Sequence, residues 1–600
     1  MRKFSLSLLF LILLFTLTGC DDTKSYISAE GADALFAIQA GTEVDAEHKD
    51  VLNLIDIGGK TFDSADGLEF TLPAGCTALE LTGTDGVFKA GDVSVDTSVD
   101  VKVSDGTGTM TLRVAIYANY DPFAYEMVGD LYIPYGVTDI SKTYSISQIT
   151  SAVVPSTVTE ISEKAFNKCT AMTKVVLPDT IKSIGNFAFK QCSALKQLDI
   201  PDSVKSIGLG AFRQCKNLES VKLPAKIKTI ENYVFYDCKS LQAVELPASV
   251  STIGNYAFQN CYALTSISFS SKLTSIGEWA FTDCSALTQV ILPDSLTTIG
   301  AKAFMNCKAL TEVYIPETLE SLGEMAFNGC KSVTKLTMPM TIAIPKATFS
   351  GMKYLEQINL TGQGESLEYD DTTFQYTPWY VSRDNAPQIT IAEGITKIGS
   401  FTFLRCSGIS SIKLPDTLQV VGYASFRRCT SLKSVELPEA VITIEPYAFS
   451  YCSALEDVGF DDQLTEIGSN AFSYCLSLKK AELPDSVTTI GRRAFFACNA
   501  LESITLGVSD ESALTFIDEY AFAGFCGNLK SITIYSKDII TISRGAFGFA
   551  KNKAIVDRYA YVSKNCTILV QPGCEGKLIN GYNYCLKGEE NTPYPIVSFY

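Results

Sequence analysis

The sequence predicts a mainly β protein, a solenoid of about 17 coils behind a small all-β domain of immunoglobulin-like type. Three observations carry this. Phe166, Phe189, Phe212, Phe235, Phe258, Phe281, Phe304 and Phe327 stand 23 residues apart, and Phe403, Phe426, Phe449, Phe472 and Phe495 resume the interval. A fixed period of this length means that one unit cannot bury its apolar face alone and must stack on its neighbours. Within a unit the apolar residues keep constant offsets, as in Leu218, Val221, Leu223, Ile227, Ile230, Phe235 and Cys238. Ahead of the array, residues 93–116 alternate apolar and polar side chains around Asp105-Gly106, the pattern of a β-hairpin.

Residues 1–19 read as an export signal: Arg2 and Lys3, an apolar run from Phe4 to Leu17, then Thr18-Gly19-Cys20. This ending resembles the bacterial lipoprotein signal, which implies lipidation of Cys20 at the mature N-terminus and a lipid anchor in the outer membrane. Asp21-Asp22 behind it resembles the surface-export signal of Bacteroidetes lipoproteins. No later run approaches the roughly 18 apolar residues that span a bilayer.

Residues 20–125 form the predicted β-sandwich, with Leu68–Leu72 and Leu79–Leu81 as further strands. The array spans 126–555, opening on a degenerate coil at Leu131–Pro134 and Val137–Ile140 that serves as a cap. In a regular unit Leu218–Leu223 is a short strand ended by Pro224, which withdraws a ladder donor, and Ile227 and Ile230 lie on a second extended stretch. Alanine before the phenylalanine, as at Ala257, lets a tight turn pass beside a spine of stacked rings. Counting Phe349, Phe374, Phe522 and Phe547 gives 17 coils, on the order of 80 Å at ~4.8 Å per strand. Residues 360–390 replace the regular turn with Thr372–Tyr380 and read as a modified coil with a loop; residues 556–600, with Cys566, Cys574 and Cys585, close the end.

The unit Leu-Pro-x-x-Val-x-x-Ile-Gly-x-x-Ala-Phe-x-x-Cys-x-x-Leu, as in Leu292–Leu310, resembles the BspA-type leucine-rich repeat over about three-quarters of the chain. Ser270, Asp461 and Met352 depart from it at single positions. The resemblance implies a leucine-rich-repeat solenoid on a surface or secreted protein of anaerobic gut or oral bacteria or mucosal protozoa. Adhesion to host matrix proteins, host cells or other bacteria is the implied role.

Composition narrows the chemistry. The net charge of −17 repels nucleic-acid phosphates, so no nucleic-acid partner is expected. One histidine, His48, lies outside the repeats, which leaves no two-histidine metal site and little room for Ser/His or Cys/His catalysis. No cofactor is expected. Thirteen cysteines from Cys169 to Cys498 fall three residues after the phenylalanine; a buried ladder of free thiols is preferred to a disulfide chain or metal ladder, since equivalent side chains point in parallel. Asp370-Asp371 and Asp461-Asp462 point to opposite faces and read as solvated charge rather than a glycosidase pair.

Three surfaces are candidate sites. An aromatic recurs two residues before the phenylalanine, placing Tyr233, Tyr256 and Trp279 in a row about 5 Å apart, either a platform for sugar rings or a protein partner, or packing over the turn. Tyr376, Trp379 and Tyr380, with Phe374, interrupt the array, either as a binding loop or as a plug. The polar positions of the strands, such as Lys196, Gln197, Glu219, Lys222, Thr265 and Ser268, lack aromatics and read as a solvated face or a wide, weak platform. The expected function is noncovalent: a lipid-anchored adhesin for a protein or cell-surface ligand, with glycan capture as the alternative.

Overall fold

The structure is a computed structural model that describes residues 147–370 and 372–509 without a break, most of 511–546, and separate segments on either side. The signal segment with Cys20, His48, Asp371, Phe547, Cys566 and Cys574 lie outside the described residues, as does the side chain of Cys585. The chain divides into two compact units, residues 1–138 with 148–157, and residues 139–147 with 158–600.

In the first unit Thr97–Ser104 and Thr109–Tyr117 form the expected hairpin, pairing Val99 with Val114, Val101 with Leu112 and Val103 with Met110. Period-two alternation puts all six side chains on the buried face, while Lys102 is exposed. Glu69–Thr71 and Ala34–Gln39 extend this sheet, and Glu43–Val44, Leu79–Thr82 and Val87–Ala90 form a second one. The immunoglobulin-like connectivity depends on segments outside the described residues.

The second unit is the predicted solenoid, with about 17 turns of leucine-rich repeat and almost no helix. Strands in it pair in parallel with a register shift of one repeat: Gln197 faces Ser220, Leu198 faces Val221 and Asp199 faces Lys222. A second ladder runs through the Thr-Ile or Ser-Ile pairs, Thr229 against Thr252 and Thr252 against Ser275. Translation by one coil therefore brings each side chain onto its own equivalent.

The phenylalanines form the expected spine. Phe166 through Phe349 are fully buried, and the ring centroids of Phe258, Phe281, Phe304 and Phe327 follow each other at 5.1–5.2 Å with planes 5–6° apart. Each offset-stacked pair adds roughly 0.5–1.5 kcal/mol to the burial of the rings. The turn that carries them is built from two left-handed residues per coil, two before and two after the ring, as at Tyr256 (φ 59°) and Asn260 (φ 64°). These two residues and the phenylalanine between them aim alternate N–H groups up the stack: Tyr256, Phe258 and Asn260 donate to the carbonyls of Glu278, Ala280 and Thr282 at 2.7–2.9 Å. The intervening groups close turns within the coil, Gln259 to Tyr256 and Cys261 to Phe258. Left-handed non-glycine residues each cost on the order of 1 kcal/mol, and the cross-coil bonds hold them there. Gly277, from the Ile-Gly step, has a different reason: a Cβ would stand 2.6 Å from Asn255 N and Gly254 C in the coil below.

The cysteines are free and buried from Cys169 to Cys498. Their thiols have a task. Cys261 Sγ donates to Phe235 O and Cys284 Sγ to Phe258 O, at 3.2 and 3.3 Å, and the same bond to the preceding coil's phenylalanine recurs along both regular stretches. Cys406 follows the irregular coil, finds no such carbonyl, and turns to its own Leu404 O at 3.8 Å. Burial pushes the Cys330 and Cys452 thiols up to about 12. Burial away from water penalises the charged thiolate, which explains the direction.

Candidate binding surfaces

In the irregular coil, read from the sequence as a modified coil with a loop, the chain forms short helical turns, Phe374–Tyr376, Pro378–Val381 and Arg383–Asn385. Asp370 starts it by accepting from the N–H and hydroxyl groups of Thr372 and Thr373, which hold its carboxyl at about 2. Trp379, offered by the sequence as a ligand contact or a plug, is a plug: it is 1% exposed and its ring lies 5.4 Å from Phe403. Its indole N–H donates to Thr402 O, the acceptor that a phenylalanine backbone N–H uses in a regular coil. Trp379 rather than Phe374 thus takes the spine position beside Phe403. Phe374, also buried, meets Tyr380 edge-on at 5.0 Å. Tyr380 is half-buried beneath the Arg383 guanidinium at 4.3 Å, and Tyr376 is half-buried on the same coil.

The turn-side row exists as expected. Tyr233 stacks on Tyr256 at 4.7 Å, and Tyr256 on Trp279 at 6.0 Å. Its ends are closed by cations, Arg213 over Tyr233 at 5.3 Å and Lys302 over Trp279 at 4.1 Å. The ring faces, which a sugar would stack on, are occupied by each other and by the two cations, leaving edges outward. Tyr451 and Tyr474 repeat the arrangement at 4.4 Å with Arg428 over Tyr451.

The strand face differs from its expected uniformity. Toward the C-terminus, one position per strand alternates in sign through Lys433, Glu456, Lys479, Glu502 and Lys530, with ion pairs of 2.6 Å between Lys479 and Glu456 and 2.7 Å between Lys530 and Glu502. Lys479 draws the Glu456 carboxyl down, and Glu456 raises Lys479. In the middle, that position is a threonine ladder, Thr288 Oγ1 donating to Thr265 O and Thr311 Oγ1 to Thr288 O. Beside this neutral zone stand Ile291, 69% exposed, and Tyr314, 39% exposed. The pairing of Val290 with Val313 makes them neighbours, since each follows its valine on the outward side. Tyr314 Oη lies 3.4 Å from Asp294 Oδ1, and its phenol is raised by burial and by that carboxylate. The sequence reading missed this pair because it took the outward positions as one polar set; asking which residue follows the inward valine in each strand would have found it.

No three His, Cys, Asp or Glu side chains converge on a metal site among the described residues. No helix among them is long and apolar enough to cross a membrane.

The repeat itself decides the relationship. The profile of the BspA type leucine rich repeat region matches residues 138–265, 251–378, 379–502 and 465–558. The chain belongs to the BspA-type leucine-rich repeat family. No curated protein matches it. Among solved structures it is similar to a leucine-rich repeat protein from Bacteroides ovatus, 25% identical over 66% of this chain and 94% of that one, with a TM-score of 0.36. A leucine rich cell surface protein from Faecalibacterium prausnitzii is 26% identical over 64% and 87%, with a TM-score of 0.24. The leucine rich repeat protein of T. pallidum is 31% identical over 27% and 78%, with a TM-score of 0.26. BspA-type repeats such as these form a scaffold suited to presenting a protein-binding surface.

Proposed function

We propose that this BspA-type protein is a non-enzymatic adhesin, anchored by a lipid on Cys20 in the outer membrane and exposed at the cell surface, that binds a protein ligand across its strand face. The observation that carries this is the Ile291–Tyr314 pair, an apolar and aromatic anchor on adjacent strands, standing outward on a face whose other outward positions are mostly polar or ion-paired, with Val176 a single exposed apolar residue at the same position of an earlier coil. Such residues dominate interface energies, and a polar rim excludes water around them. The Faecalibacterium relative is described as a cell surface protein, which agrees with the N-terminal segment read as a lipoprotein signal. The self-stacked Tyr233–Tyr256–Trp279 row gives the protein-ligand reading preference over sugar stacking.

The test uses the mature chain on surfaces coated with host matrix proteins, on host cells and on partner bacteria. Wild type is expected to bind at least one, and Ile291→Ser with Tyr314→Ser to lose roughly thirtyfold or more, as two anchors of about 1–2 kcal/mol each imply. Absence of binding to every target defeats the reading. Labelling cells with a palmitate analogue is expected to tag wild type and not Cys20→Ala.

A further inference from the structure

The chain is acidic, yet its charge is unevenly placed. Residues 158–228 hold twelve lysines and arginines against six aspartates and glutamates, while the remainder holds 37 against 60. Within that segment one outward position of the second strand ladder is lysine in three successive coils, Lys182, Lys205 and Lys228. All three are exposed, and Lys205 N donates to Lys182 O at 2.8 Å, so they follow each other at the coil spacing. None makes an ion pair among the described residues. Like charges on adjacent strands destabilise a sheet.

The same position in the next three coils shows how this array ordinarily fills it. Ser251, Thr274 and Thr297 each donate a side-chain hydroxyl to the carbonyl of the coil below, at 3.4, 3.1 and 3.2 Å. Where charge does run along strands, as from Lys433 to Lys530, it alternates in sign. The lysine row follows neither pattern. On the adjoining turn of the same coils Lys164, Lys168, Lys190 and Arg213 crowd together, and burial and these three cationic neighbours together depress the Lys190 ammonium.

We propose that Lys182, Lys205 and Lys228 form a binding row for a linear sulfated polysaccharide, one sulfate or carboxylate per coil. The row is straight, at ~4.8 Å per strand, and matches an extended polyanion better than a duplex, whose phosphates follow at about 3.4 Å per strand while winding away. Single-stranded nucleic acid needs free aromatic faces for its bases, and the partly exposed aromatics on the turns beside the row, Phe187, Tyr233 and Tyr236, lie under Lys190 and Arg213. The acidic remainder of the chain repels polyanions, which confines binding to these coils. This site is separate from the strand-face anchors, and its variants leave Ile291 and Tyr314 untouched.

The experiment is titration of the full mature chain with a fluorescent heparin oligosaccharide at 50 and 200 mM NaCl. Binding is expected at low salt, weakening roughly tenfold or more at high salt as counterions compete. Lys182→Glu/Lys205→Glu/Lys228→Glu is expected to lose at least tenfold in affinity. The equally charged Lys272→Glu/Lys308→Glu/Lys331→Glu is expected to stay within twofold of wild type. The proposal is overturned if heparin does not bind, if both triple variants behave alike, or if poly(dT) or phosphatidylserine vesicles bind as tightly as heparin.

Discussion

Phe258 and Cys261 show how much one position carries when it repeats. Phe258 lies between Phe235 at 5.3 Å and Phe281 at 5.1 Å, fully buried. Phe258→Ala removes two stacking partners at once and is expected to cost about 3–5 kcal/mol in urea unfolding, with Phe258→Leu costing less. Cys261 and its equivalents resist ionisation because burial takes the thiol out of water. Iodoacetamide at pH 8 is therefore expected to leave them unmodified in the folded chain and to label them after denaturation. The same shift sets a pH dependence. The folded thiols hold their protons above the point where unfolded thiols release them, so stability is fully present below pH 9 and is lost between about 9 and about 12, the value for Cys330 and Cys452. Each such thiol contributes about 1.4 kcal/mol per pH unit in that window, and a melting temperature that stays level from pH 8 to 10.5 would contradict the ladder.

At the scale of the turn, strand and inserted coil, the sequence was most legible where translation by one repeat decides everything. Phe166 to Phe327 and the cysteines beside them could be placed before any coordinates because each meets its own copy. Trp379 could not. Its place depends on Pro378–Val381 forming a helical turn that swings the indole into the spine, and nothing in the 23-residue ruler encodes that. The turn row was legible in position and not in use, because the cations at Arg213 and Lys302 belong to other coils and close the stack only in space. Its role as packing has a measurable consequence. Tyr256→Ala and Trp279→Ala are each expected to lower stability by about 1 kcal/mol and to leave affinity for a protein ligand within twofold. Gly277→Ala is expected to destabilise as well, since its new methyl group meets the Asn255 amide oxygen and also the backbone of Gly254 and Asn255, which cannot swing aside.

Across the repeat array, identical backbone coils carry unlike surfaces. On the first strand ladder Lys196 pairs with Glu219 early, hydroxyls with Ile291 and Tyr314 stand in the middle beside the Lys335–Glu312 pair, and charges alternate beyond Lys433, while the unpaired Lys182, Lys205 and Lys228 lie on the second ladder. Only the residues that point away from the spine are free to differ, so recognition is written at those positions while folding is written at the inward ones. The direct measurement is hydroxyl-radical footprinting of the full chain with its captured protein ligand. Protection of Ile291 and Tyr314, with Tyr256 and Trp279 unchanged, is the predicted result. Protection of the turn-side row with Ile291 and Tyr314 still reactive would contradict recognition by the strand face.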